Sequence, residues 1–263
     1  MKRVIPTFGN LPRRAKFGEI GTNYRSISDG GANFGDFYLN FGKRKVYLTK
    51  KIALNNLQND FLQAFFTHEN RFFLSGGAAL VGFYFGHRET HDLDLFTLEN
   101  EVENGFRLVN EVAKELNVIV ESIQTSPDFR RLLVKRETEA IVVDLVREYV
   151  FQIDKEKPII NGIRVDSPEE ILANKLCALL SRSEIRDLID VRELENAGFS
   201  LENALQAAAK KDSGLTPAQL AWVLNQIKFS DDFQPSNNLS VAELREYLNN
   251  LIDRLKRLAL PEK

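Results

Sequence analysis

Ser75, Gly76, Gly77, Asp92 and Asp94 are the residues whose types and spacing most directly suggest chemistry. Asp92-Leu93-Asp94-Leu95-Phe96 alternates with period two, so as a strand it puts both carboxylates on one face and both leucines on the other. Two carboxylates pointing the same way repel each other unless a cation sits between them. Hard oxygen donors of this kind suit magnesium, which takes one or two carboxylates and completes its shell with substrate phosphates. Upstream, Ser75-Gly76-Gly77 closes an apolar run and opens a helix. Paired glycines permit tight turns and close approaches, and a helix start offers free N–H groups and a positive dipole end to phosphate. A phosphate cradle and a metal clamp are therefore expected in one pocket. A third acid, Asp144, interrupts the apolar strand Ala140–Val146. A charge in such a strand is costly unless it is paired or ligates metal. A two-metal transfer site wants a third carboxylate in that role. Each feature alone is commonly a plain turn or a solvated strand edge; their order and spacing carry the reading.

The elements that must position these residues are legible on either side. Phe72-Phe73-Leu74 reads as a short strand, and Leu80, Phe83, Tyr84 and His87 fall at the spacing of a helix face. With Val81 and Phe85 adding apolar surface, that helix should be buried nearly all round. Helices are expected over 52–66 and 101–116, then three strands over 117–126, 129–137 and 139–147 joined as antiparallel hairpins. Phe37–Phe41 and Lys45–Leu48 look strand-like. After a mixed stretch with Asn161-Gly162 as a turn, the pattern is helical from Ser167 to the end, with helices at about 168–182, 184–196, 200–211, 216–228 and 240–259. Ser167-Pro168-Glu169-Glu170 is a strong helix start. In the first of these helices Lys175 lies beside the stripe Leu172, Leu176 and Leu179, and alone it reads as a surface lysine with its stem on apolar surface. In the second, Asp187 and Asp190 share a face and Arg186 reaches Asp190 at i+4. His87 and His91 have no third ligand in view, so a zinc site is not expected. His87 and Arg88 are read as closing the back of the pocket.

The run from Phe72 to Phe96 resembles the first motif of the DNA polymerase β-like nucleotidyltransferases, and within them the AbiEii-type nucleotidyltransferase toxin family. The shared order is a Gly-Gly turn, a helix with a tyrosine, a Gly-His-Arg step and an Asp-Leu-Asp-Leu-Phe strand. The helix around Lys175, with Leu176 to Leu179 following, resembles the family's third motif. Arg186-Asp187-Leu188-Ile189-Asp190 resembles the fourth. The likeness spans about Phe61 to Leu194. It implies an α+β fold: a polymerase β-like mixed sheet with flanking helices, followed by an all-helical C-terminal bundle. It implies two magnesium ions, with manganese as the substitute, held by Asp92, Asp94 and Asp144. Lys175 and Asp190 complete the catalytic set, and Ser75, Gly76, Gly77, Lys175 and Asp187 bind the nucleotide. Lys175 would neutralise phosphate charge, and Asp190 would orient Lys175 or the nucleotide's sugar. The implied partners are a nucleoside triphosphate, an RNA acceptor such as tRNA, and a cognate antitoxin. Two positions depart from the pattern: Ala78 stands where the family often has a hydroxyl, and Thr90 where a serine is usual. The rival reading is a degenerate nucleotidyltransferase fold serving as an RNA- or protein-binding module; the intact acids argue against it.

Composition sets the frame. The chain has 263 residues, 27% charged and a net charge of −2, ordinary for a globular protein with a sizeable core. No apolar run approaches the ~18 residues that span a bilayer, and no signal-peptide pattern opens the chain, so no membrane partner is expected. Its single cysteine, Cys177, cannot form an internal disulfide and fits a reducing cytoplasm. Residues 1–51 carry eleven Lys/Arg against Glu19, Asp29 and Asp36, a local surplus of eight, while the remainder is acidic. The expected organisation is a basic, glycine-rich extension over 1–50, a catalytic domain over 51–165 and a helical bundle over 166–263. The extension suits an anionic partner, or equally a solvated tail.

Overall fold

The computed structural model describes residues 37–41, 44–48, 54–230, 233, 235 and 239–260. Most of the basic extension, with its expected role, lies outside the described residues. The described residues fall into two units, one holding 37–41 and 44–48 and the other the described residues from 54 onward. In the first, strands β1 (Phe37–Phe41) and β2 (Arg44–Leu48) form an antiparallel hairpin with Phe37 opposite Leu48. Both strands were expected from the sequence.

The second unit is built on a five-stranded mixed sheet ordered β3-β4-β7-β6-β5. These strands are β3 (Phe72–Ser75), β4 (Asp92–Thr97), β5 (Ile119–Ser126), β6 (Phe129–Arg136) and β7 (Glu139–Arg147). The last three form the expected antiparallel meander. The one parallel pair sets β4 beside β7, the middle strand. One face of the sheet is the core, where Leu93, Leu95, Ile141, Val143, Leu145, Leu132 and Val134 are buried. Helices α1 (Asn56–His68) and α3 (Val102–Glu115) meet β7 and carry Leu57, Phe61, Phe65, Val109 and Val112 into that core. Helix α1 begins later than its apolar pattern suggests, because Asn55 caps it and closes a box with Gln58.

Helix α2 differs from expectation. It starts at once on Gly76, runs to Leu80 and continues as a π-helical turn over Val81–Phe85. Gly86, at φ +58, ends it by donating to Val81 O at 3.0 Å. The extra residue in that turn breaks the 3.6-residue stripe, so Leu80, Val81 and Tyr84 are buried while Phe83 and Phe85 are half-buried. The turn at Asn161-Gly162 joins the short pair β8 (Ile159–Ile160) and β9 (Ile163–Arg164).

The remaining helices are α4 (Pro168–Arg182), α5 (Ile185–Asn196), α6 (Leu201–Lys211), α7 (Pro217–Leu224) and α8 (Val241–Leu258). Ser167 caps α4 by accepting from Glu170 N, with Pro168 in the first turn. The Glu170 carboxylate does not return to Ser167. It accepts instead from the backbone of Ile153 and Asp154 and pairs with Lys157 and Lys211. Helix α7 stops before 228 because the Gln226 and Ile227 N–H groups reach back only three residues, to Val223 and Leu224. Among the described residues no helix is long and apolar enough to cross a membrane.

Candidate active site

Strand register lines up one polar row across the sheet. Ser75 on β3 stands opposite Asp94 on β4, Asp94 beside Asp144 on β7, Asp144 opposite Arg131 on β6, and Arg131 opposite Gln124 on β5. Residues in register share a face. Asp92 lies two residues along β4 on that same face, and the alternating burial of β4 matches its sequence pattern. The three acids expected to work together are therefore brought to one face of adjacent strands.

Both glycines are there because something approaches too closely for a side chain. Gly76 has φ +65, and a Cβ on it would lie 2.3 Å from Asp94 Oδ2. A Cβ on Gly77 would lie 2.5 Å from Arg88 Nη2. The turn thus seats one carboxylate and one guanidinium directly on the backbone. The departure at Ala78 falls at a fully buried position. Ser75 points inward: its hydroxyl donates to Asp166 Oδ2 at 2.5 Å. Lys157 pairs with the other Asp166 oxygen at 2.7 Å, and burial still pushes the Asp166 carboxyl up to about 6. Tyr84, the core residue its pattern suggested, donates to the Asp166 carbonyl.

A second layer comes from α4 and α5. Lys175 is not a surface lysine: it is buried, and its ammonium pairs with Asp187 Oδ1 at 2.7 Å and Asp190 Oδ2 at 2.6 Å. Arg88 grips both Asp190 oxygens, at 2.7 and 2.8 Å, and His87 Nε2 is 2.8 Å from Oδ1. Burial alone would raise the Asp190 pKa, but Lys175, Arg88 and His87 hold it well below the usual carboxylate range. Asp187, equally buried, is held low by Arg182 and Lys175. The expected Arg186–Asp190 pair does not form. Asp190 faces inward, while Arg186 faces out, pairs with Glu184 and comes within 3.6 Å of Asp92. His87 and Arg88 are both anchored on Asp190.

The remaining question at the carboxylate row is whether it fits a divalent cation. Burial raises the Asp94 pKa to about 6, helped by the charges of Asp144 and Asp92 and opposed by Lys175. A buried carboxylate with like charges beside it is what a divalent cation relieves. Among the described residues no three His, Cys, Asp or Glu side chains close around a metal position by themselves. The fit is thus to an open site, with one or two carboxylates and a shell completed by water and substrate oxygens.

A model of the nucleotidyl transferase AbiEii toxin family, described as a type IV toxin–antitoxin system, matches residues 60–259. The chain belongs to the AbiEii nucleotidyltransferase toxin family. It is a nucleotidyltransferase of the toxin–antitoxin class. No curated protein matches it. Among solved structures, MenT4, a nucleotidyltransferase toxin from Mycobacterium tuberculosis H37Rv, is similar with a TM-score of 0.53 and 17% identity. The likeness covers 78% of this chain and 83% of that one. JHP933 from Helicobacter pylori is similar with a TM-score of 0.51 and 23% identity, covering 80% and 94%. At these identities the likeness is one of fold: the chain shares their α+β architecture, built on a mixed sheet.

Several residues at the site are not marked by the sequence pattern. Arg131 could have been found by counting. A two-residue turn at Glu137-Thr138 sets Arg136 opposite Glu139, and the same register sets Arg131 opposite Asp144. Asp166, Lys157 and Arg182 carry no such signal, because they come from loop and helix-end positions without periodicity.

Proposed function

We propose that this chain is a magnesium-dependent enzyme that moves a nucleoside monophosphate from a nucleoside triphosphate to a hydroxyl of RNA, with a structured RNA such as tRNA as the acceptor. The observation that carries this reading is the polar row with Asp94 seated on Gly76 beside Asp144. Asp92, Asp94 and Asp144 would hold two divalent ions, with manganese able to replace magnesium. Such ions stabilise the attacking and leaving oxygens of an in-line displacement.

The chain's own residues supply position and charge. The missing Cβ at Gly76 leaves room for the Asp94 carboxylate to lie against the turn that would hold the phosphates. The backbone of Ser75, Gly76 and Gly77 would line the phosphates, the hydroxyl of Ser75 serving the fold through Asp166. Lys175 would neutralise phosphate charge as a point cation, aimed by Asp190 and Asp187. Asp187 has both oxygens engaged by Lys175 and Arg182, so it would act on nucleotide only through them. In this reading residues 51–165 form the catalytic part and 166–263 the helical part that brings in Lys175. The basic extension over 1–50 would bind the RNA backbone, a cognate antitoxin would restrain the enzyme, and the work would be done in the cytoplasm.

The test uses each nucleoside triphosphate labelled at the α-phosphate, with magnesium and total cellular RNA. The expected result is α-label in RNA from one or two nucleotides and none from γ-labelled substrate. Label reaching protein or free hydroxyl compounds but never RNA would overturn the acceptor assignment.

A further inference from the structure

Arg131 lies one strand beyond Asp144 in the polar row, and its guanidinium donates to both carboxylate oxygens, at 2.9 and 2.7 Å. A bidentate fork of this kind occupies the directions from which a cation would approach those oxygens. The partners differ in freedom. Asp144 is 5% exposed and rises from the middle strand, whereas the Arg131 side chain is 45% exposed. The acid is therefore the more confined partner, while the arginine has room to swing outward. Its charge also senses Asp92 and Asp94, so it stands in the field of the whole carboxylate row.

We propose that Arg131 is a stand-in counter-ion for the third carboxylate: it competes with a divalent cation for the two oxygens of Asp144, and on cation entry it swings onto oxygens of the incoming triphosphate. This rests on the reading of Asp92, Asp94 and Asp144 as metal carboxylates. Two consequences separate it from a fixed ion pair that merely shapes the sheet. Removing a fixed support would loosen Asp144 and weaken cation binding, whereas removing a competitor strengthens it. The freed guanidinium is a natural donor for phosphate, because its planar fork matches two oxygens at once. Arg131 would thus serve both the acid and the substrate, and its loss should affect cation and nucleotide in opposite directions.

The experiment is a titration of the full chain with Mn2+ alone, followed by loss of the free-ion paramagnetic resonance signal. Arg131→Gln should bind Mn2+ about fivefold more tightly than the unaltered protein, the factor expected for a half-exposed ion pair worth ~1 kcal/mol. Arg131→Lys, which keeps the charge and loses the fork, should show a smaller gain, and it carries the test if the Gln variant proves unfolded. In an Asp144→Asn background the Arg131 substitution should change nothing, closing a double-mutant cycle. Steady-state KM for the nucleotide should rise in Arg131→Gln despite its tighter cation. Unchanged or weaker Mn2+ binding in folded variants overturns the proposal. An Asp94→Asn control separates the failures. If Mn2+ binding survives that change, the metal assignment itself fails; if it is lost while the Arg131 variants gain nothing, only the competition fails.

Discussion

At the scale of single residues, the site is defined by what presses on each acid. Gly76→Ala adds a Cβ 2.3 Å from Asp94 Oδ2 at a backbone φ of +65. It should cost about 1–3 kcal/mol and displace Asp94; the check is thermal melting beside a transfer assay, and wild-type values in both would remove the glycine from the account. Asp94 itself gives a pH prediction. Its folded pKa, about 6, lies above the ordinary 3.8. The native state therefore holds more protons than the unfolded chain between those values, and stability falls as pH rises from about 4 to 6. Asp94→Asn copies the neutral form, so in chelator it should melt roughly 2–4 °C higher at pH 7, for ~1 kcal/mol relieved, with no gain at pH 4. An equal gain at both pH values would mean that crowding of charge is not the cause. These acids were legible from spacing alone, because period two is a strict rule for strands. The cations opposite them were not, because Arg131 and Arg88 look like any surface arginine until register and turn geometry are known.

At the scale of elements, α5 meets α4 and the loop after α2 through Asp190, which gathers Lys175 from α4 and His87 and Arg88 from that loop. Removing one partner of a buried ion network leaves uncompensated charge, typically costing 3–5 kcal/mol. Asp190→Asn should accordingly destabilise at pH 7, the opposite sign to Asp94→Asn. It should also raise amide exchange over residues 87–91, as hydrogen exchange with mass analysis would show; protection unchanged there would mean the loop is held by something else. Lys175→Ala should weaken nucleotide use more than Mn2+ binding, and Lys175→Arg should not fully restore it, since a guanidinium needs different geometry. Normal transfer by the Ala variant would return Lys175 to a structural part. The helices of this region were readable from their apolar stripes and serine caps. The π-helical turn was not: one added residue shifts the stripe without leaving a distinctive letter in the sequence.

For the whole molecule, the charge imbalance is the feature the fold does not absorb: eleven basic residues in 1–51 on an otherwise acidic chain. If the extension binds RNA backbone, substituting Arg13, Arg14, Lys16 and Arg25 with Ser should leave nucleotide and Mn2+ binding intact. It should flatten the salt dependence of RNA binding by about 0.7 in log–log slope for each phosphate no longer neutralised. An unchanged slope would mean that the acceptor docks elsewhere. The meander and the helical second half followed from periodicity, the mixed sheet from the family resemblance, and the family from three motifs and Asp144 in order. The order β3-β4-β7-β6-β5 did not, since a parallel neighbour distant in sequence leaves no local pattern. The central claim is that nucleotidyl transfer to RNA takes place at the carboxylate row. The most direct measurement of it compares wild type with Asp94→Asn, both shown folded by circular dichroism, for α-label incorporated into RNA in magnesium. The account predicts labelled RNA from the wild type and a loss of at least about a hundredfold in the variant. Labelling that persists in Asp94→Asn at the wild-type rate would contradict it.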